Sequence, residues 1–253
     1  MGVITARRTI ASIAVLCGAL GIAFGPCQGA ARARHISSGC ADTKRVALTF
    51  DDGPNPPFTE QILQILQDHG ATATFFLEGQ AVEANPDIAR TEVAAGMAVG
   101  SHSYAHATAL PTMSAGDFAD DLRQAAVALK EALGFEPAIY RSPFGHTSNT
   151  MLEVEHGAGY TSIGWDLDST DWSAASVDDV VRTVLDGAHP GAIVLMHDGG
   201  LGGGNPDRAT TIGALPRIID GLRTQGYTFA TIPGLTGAPT RIGDATSSAC
   251  SAH

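Results

Sequence analysis

The sequence predicts an α/β domain of parallel strands covered by helices, and three observations in its 253 residues carry that expectation. Apolar, strand-like runs alternate with amphipathic helical stretches. The connections between them are short, as in repeated strand–helix–strand units. The residues able to do chemistry gather just after the strands. Alternation alone leaves two architectures open, a doubly wound open sheet and a barrel.

Residues 1–31 stand apart from this pattern. Arg7 and Arg8 precede an uncharged apolar run from Thr9 to Phe24, and Gly29, Ala30 and Ala31 offer a small-residue cleavage region. The run is short for a membrane span, and Pro26 and Gln28 come after it, so a cleaved secretory signal is preferred to an uncleaved anchor. The arginine pair also hints at a twin-arginine signal. The expectation is therefore a secreted or cell-wall protein with no span in its mature form. Residues 32–44 read as a linker, 45–235 as the folded domain and 236–253 as a loose C-terminal tail. Signal removal leaves two cysteines, Cys40 and Cys250, flanking the domain. Export brings them into oxidising surroundings, so a disulfide between them is expected. The net charge of −11 argues against a nucleic-acid partner, which would need a basic face.

Along the chain, "RVALTF" (45–50) is a strand, and 57–70 an amphipathic helix closed by Gly70. A strand at 72–78 leads to a helix at 85–96, with Asn85 as N-cap and Pro86 at its first position. A short strand at 97–101 precedes a long helix at 115–134 that ends in Gly134. Then come a brief strand at 138–141, a helix near 148–158 and a strand at 160–165. The helix at 176–188 opens on a Ser176–Asp179 capping box. A buried strand at 192–197, a helix at 208–226 with Pro216 inside it, and a strand at 227–232 complete seven strands.

Polar residues cluster at the C-terminal ends of these strands. Asp51 and Asp52 come after the first, His102 and His106 after the third, and Arg141 ends the fourth. Asp166, Asp168, Asp171 and Trp172 come after the fifth, and His197 and Asp198 close the sixth. In a barrel these C-terminal strand ends share one mouth. His102 and His106, four apart, can reach one metal, and Asp52 can supply the carboxylate of a two-His, one-carboxylate site. Asp51 is then free to act as a base. On strand alternation the two aspartates point in opposite directions. His197 can act as an acid if a carboxylate from 166–171 pairs with it, and Arg141 can clamp a site carboxylate. The stretch "GGLGGGNP" (199–206) lacks the Lys-Ser/Thr of a phosphate loop and reads as a mobile rim. His146 is the one further histidine expected near the site.

"TFDDGP", "HSYAH", "RSPFG", "DSTDW" and "LMHD", in this order and spacing, resemble the five motifs of the polysaccharide deacetylases of carbohydrate esterase family four, over about residues 45–235. The resemblance implies a distorted (β/α)7 barrel and a divalent metal, usually zinc. It implies Asp51 as general base, Arg141 as the residue orienting it, and Asp52, His102 and His106 as metal ligands. Asp168 matches the carboxylate that tunes the acid, His197. Trp172 resembles an aromatic wall, Leu195 the floor of an acetyl-methyl pocket, and the Phe144 backbone N–H an oxyanion donor; the family often has Tyr at this position. The function implied is metal-dependent N-deacetylation of a glycan built on N-acetylglucosamine, such as peptidoglycan or chitin-like oligomers, by a monomeric exported enzyme. Acetylxylan O-deacetylation is the enzymatic alternative, and an inactive glycan-binding barrel the alternative from another class.

Overall fold

The computed structural model describes residues 35–173, 176–200 and 207–247. The element order is β1 (His35–Ile36), β2 (Arg45–Gly53), α1 (Phe58–Asp68), β3 (Ala73–Leu77), α2 (Gly79–Ala84), α3 (Pro86–Ala94), β4 (Ala98–Ser101), α4 (Ala115–Leu133), β5 (Ile139–Tyr140), α5 (Asn149–Gly157), β6 (Thr161–Ile163), β7 (Leu167–Asp168), α6 (Val177–Gly187), β8 (Ile193–His197), α7 (Ala209–Thr224), β9 (Thr228–Phe229) and α8 (Ile232–Thr236). The strands pair in parallel in the order β1-β6-β5-β4-β3-β2-β8-β7, with β9 joined to β2.

That order forces the sheet to curl. β6 and β7 stand six places apart along it, about 29 Å in a flat sheet. Only residues 164–166 connect them, a reach of about 14 Å from Ile163 to Leu167. The ends must therefore approach, which makes the sheet a distorted barrel of parallel strands. Backbone bonds lace the seam: Gly164 N donates to Ile36 O at 2.8 Å, Asp166 N to Ile193 O at 3.3 Å, and Gly39 N to Gly191 O at 2.7 Å. The stretch expected to be a linker thus contributes β1 and part of the seam.

Side chains alternate with a period of two. Val46, Leu48 and Phe50 of β2 pack outward with Ile62, Leu66, Val184 and Ile218 of the helices. Ala47 turns inward with Phe76, Ile139, Ile163 and Ile193. The same alternation sends Leu195 and His197 inward and Val194 and Met196 outward. Gly100 leaves room for the Phe76 ring, which a Cβ there would meet at 2.6 Å.

The helix ends are largely as expected. Ser176 accepts from Asp179 N at 3.2 Å, and Gly134 closes α4 in the left-handed conformation. Asn85 precedes α3 without a capping bond; its side-chain amide donates to Ala81 O instead. Four elements were not anticipated. β1 and β7 are two residues long, too short to show a period, and α2 comes directly after β3. The last strand stops at Phe229, and α8 occupies the end of the expected domain and the first residue of the expected tail. Thr231 caps α8, and its Ile232 and Leu235 are buried in the inner core.

The expected signal (1–31), residues 201–206 of the glycine-rich stretch, and Cys250 lie outside the described residues. No helix among the described residues is long and apolar enough to cross a membrane.

Candidate active site

Asp51 and Asp52 end β2, where the register with β3 shifts between Asp51 and Gly53 and Asp52 takes a φ of 77°. This bulge overturns simple alternation. Instead of pointing apart, both carboxylates reach His102, whose Nε2 lies 3.2 Å from Asp52 Oδ1 and 3.9 Å from Asp51 Oδ2. Glycines make the bulge possible. A Cβ on Gly53 would lie 2.0 Å from Asp198 Oδ2, and one on Gly199 1.8 Å from the Asp52 carbonyl.

His102 and His106 come from the loop after β4. His106 Nε2 is 3.4 Å from the same Asp52 oxygen, and the three residues place ligand atoms within 4.8 Å of one another. His102 Nδ1 is 2.8 Å from the Arg141 carbonyl, to which it donates, so Nε2 faces Asp52. Unless the ring is doubly protonated, two lone pairs then face each other, and neither buried Asp52 oxygen has a hydrogen-bond partner. A cation between these groups resolves the arrangement, and one carboxylate with two imidazoles is a fitting donor set. The electrostatics agree. Burial alone would raise the Asp52 carboxyl, but His102, with the charge of His197 beyond, holds it below the usual carboxylate range. Burial lowers His102, yet Asp51 and Asp52 outweigh it and raise the ring. Burial and the neighbouring His102 push His106 down to about 4, leaving it neutral.

Arg141, at the end of β5, is fully buried. Its Nη1 donates to Asp51 Oδ1 and to Thr49 Oγ1, each at 2.7 Å, and its Nη2 to Gly164 O at 3.0 Å. The guanidinium carbon lies 4.1 Å from the Phe76 ring centre and 5.6 Å from that of Trp165. This fork aims Asp51 at the cavity.

His197 ends β8. Its Nδ1 donates to Asp171 Oδ1 at 2.8 Å, and its backbone N to Asp171 Oδ2 at 2.9 Å. Thr211 holds the same Asp171 oxygen at 2.7 Å. Burial opposes a charged ring, but the bond and charge of Asp171, with Asp52 and Asp51 beyond, push His197 up to about 9. The carboxylate beside the acid is therefore Asp171, and the expectation for Asp168 is corrected. β7 ends at Asp168, and the turn through Thr170, at a φ of 61°, carries Asp171 back under His197. Asp168 accepts from Thr170 N at 2.8 Å and from the Trp172 indole at 3.3 Å.

Asp51, His102, His106, Phe144, Trp165, Asp168, Trp172, Leu195 and His197 line one cavity of about 390 Å³. Phe144, at a φ of 58°, sets its ring against His106 with centroids 4.6 Å apart. His146 tilts against Phe144 at 5.7 Å.

Known proteins resemble this chain in sequence and fold. The polysaccharide deacetylase family pattern matches residues 38–163. A peptidoglycan-N-acetylglucosamine deacetylase of Bacillus cereus is 34% identical over 194 residues, covering 76% of this chain and 88% of the relative. The chain belongs to the polysaccharide deacetylase family. A chitooligosaccharide deacetylase of Sinorhizobium fredii is 36% identical over 201 residues, covering 74% of this chain and 90% of that one. The crystal structure of the Bc1960 peptidoglycan N-acetylglucosamine deacetylase superposes with a TM-score of 0.77 at 29% identity, over 82% of this chain and 94% of that one.

This polysaccharide deacetylase family member brings together the expected catalytic, ligand and substrate-binding residues; Cys250, the expected partner of Cys40, lies outside the described residues. Cys40 is buried in the domain. Sequence reasoning missed Asp171 as the partner of His197, Thr49 and Thr211 as supports, and Trp165 as a wall. Asp171 was visible in "DSTDW", and only the turn between its two aspartates decides which one reaches the histidine.

Proposed function

We propose that this chain is a metal-dependent hydrolase that removes acetyl groups from N-acetylglucosamine units of a cell-wall or chitin-like polysaccharide. One observation supports it above the others. A carboxylate held by a buried arginine, an imidazole held by a buried carboxylate, and the two histidines of an Asp-His-His trio all line one cavity. The relatives named for peptidoglycan and chitooligosaccharide supply the substrate class.

Asp52, His102 and His106 would hold a divalent cation, zinc by the chemistry of the donors, whose Lewis acidity makes water a nucleophile near neutral pH. Asp51, oriented by Arg141, takes the proton of the attacking water. The Phe144 backbone N–H faces the oxygen that becomes charged. Leu195 receives the acetyl methyl. His197, kept cationic by Asp171, gives its proton to the departing nitrogen, and acetate and the free amine are released. Trp172 offers an exposed aromatic face to the sugar.

In this reading residues 1–31 are an export signal, and the folded domain works outside the cell. Acetate release measured in parallel on chitooligosaccharides, peptidoglycan and acetylxylan tests the proposal. Release from the first two, and little from the ester, is the expected result. Release from acetylxylan alone would replace the amide reading with the ester one.

A further inference from the structure

Two arginines are buried among the described residues, Arg141 and Arg208. Arg141 has its role at Asp51. Arg208 has no place in the acid, base or ligand set, yet a buried guanidinium needs acceptors or an anion beside it. It stands at the N-cap position of α7. Its Nε donates to the Gly199 carbonyl, and its Nη2 lies 3.9 Å from Asp52 Oδ2. The second distance is that of an ion pair and not of a hydrogen bond. Asp198, the other buried carboxylate at the β2–β8 junction, has its own donor in Thr59 Oγ1 at 2.5 Å. Each aspartate of the adjacent pair therefore faces an arginine of its own.

The two oxygens of Asp52 differ in their surroundings. Oδ1 lies 3.2 Å from His102 Nε2 and 3.4 Å from His106 Nε2, whereas Oδ2 is the oxygen toward Arg208. A carboxylate can bind a cation through one oxygen or both, and the mode decides how many positions remain for water and substrate. A guanidinium on the far oxygen favours the one-oxygen mode. Gly199 fixes where that guanidinium stands. Its carbonyl accepts from Nε, its N–H donates to the Asp51 carbonyl at 3.1 Å, and a Cβ on it would lie 1.8 Å from the Asp52 carbonyl. The anchor of Arg208 thus belongs to the junction that shapes the bulge. Three residues along α7, Thr211 holds Asp171, the partner of the acid, at 2.7 Å. The start of α7 reaches both halves of the site.

We propose that Arg208 is a positioning residue for Asp52: its guanidinium holds Oδ2, so that the carboxylate offers a cation Oδ1 alone. The inference rests on the reading of Asp52, His102 and His106 as the ligands. Groups outside the ligand set that orient a ligating side chain tune metal affinity, so the role is read from metal binding and not from turnover.

The test is a zinc titration of the chelator-stripped full chain, with affinity read by competition against a coloured chelator. Arg208→Ala should bind zinc on the order of 10–100-fold more weakly than wild type. Arg208→Lys, which keeps the charge, should recover part of that loss. Arg208→Gln, which keeps a donor for Gly199 but no charge, should not. If Arg208→Ala does not fold, the Lys and Gln variants carry the same comparison. A cycle with Asp52→Asn separates the carboxylate from the loop: in that background, with no charged oxygen to hold, Arg208→Gln should cost little more. The visible absorption of the cobalt-loaded variants should shift toward a higher ligand number as the second Asp52 oxygen is released. Denaturant melts of the metal-free proteins report the bond to Gly199. If Arg208→Gln binds zinc as wild type does while its melt falls, the arginine merely fastens the loop and the inference is overturned. Tighter zinc binding overturns it too, because the guanidinium would then act by repelling the cation. So does an equal loss with and without the Asp52 carboxylate. A wild type that binds one zinc but releases acetate from no glycan overturns the proposed activity alone, and one that binds no zinc overturns both.

Discussion

Asp52 is held in a left-handed backbone conformation, at a φ of 77°, that costs a non-glycine residue about 1–3 kcal/mol. That conformation separates the two aspartates by role while keeping both on His102. Asp51→Asn should keep the metal and lose on the order of 10²–10⁴ in turnover, because the base is gone and the ligands remain. Asp52→Asn should weaken metal binding itself, with partial rescue by excess zinc. Metal affinity and acetate release on both variants check this, and reversed behaviour would exchange the roles. Asp171 carries the second residue-scale prediction. It raises His197 to about 9, so the protonated ring gains a partner on folding. That contribution to stability is fully present below the ordinary histidine value of 6.5 and is lost as pH rises through about 9. Asp171→Asn should therefore move the basic limb of the activity profile to lower pH, and Thr211→Val should move it less. The same substitution at Asp168 should leave the limb in place.

At the scale of elements, the site depends on how closely β2 and β8 end beside each other. Asp198 N and Gly199 N both donate to the Asp51 carbonyl at 3.1 Å, and Gly199 has no room for a Cβ. Gly199→Ala should push the strand ends apart, cost about 1–3 kcal/mol in stability and weaken metal binding. Denaturant melts and metal titration measure the two losses, and a variant with wild-type values for both would show that the junction yields freely. This junction also marks what the sequence could and could not convey. The strand ends, helix spans and clusters of His and Asp were legible, because apolar periods and short connections recur in the chain. The bulge at Asp52 was not, because it arises from contacts between β2, β3 and β8. Nor was the pairing of Asp171 with His197, which a four-residue turn decides.

For the molecule as a whole, the curl of the sheet gathers five separate strand ends into one mouth. Residues 164–166 and the segment after β1 close it, so a stretch that reads as linker in sequence belongs to the barrel. Two-residue strands carry too little pattern to announce such a seam. The expected Cys40–Cys250 bond would join the two ends of the domain and contribute a few kcal/mol. Mass spectrometry of the exported protein with and without reductant should show the two-hydrogen difference, and two free thiols would rule the bond out. The central claim is that one cation, held by Asp52, His102 and His106, enables the cavity to remove acetyl groups. The most direct measurement is acetate release from chitooligosaccharide by chelator-stripped protein as zinc is titrated back. Activity should be absent at first, rise linearly and saturate at one equivalent, with a double His102→Ala, His106→Ala variant folded but unresponsive. Full activity in the stripped protein, or a saturated site that releases no acetate, would contradict the account.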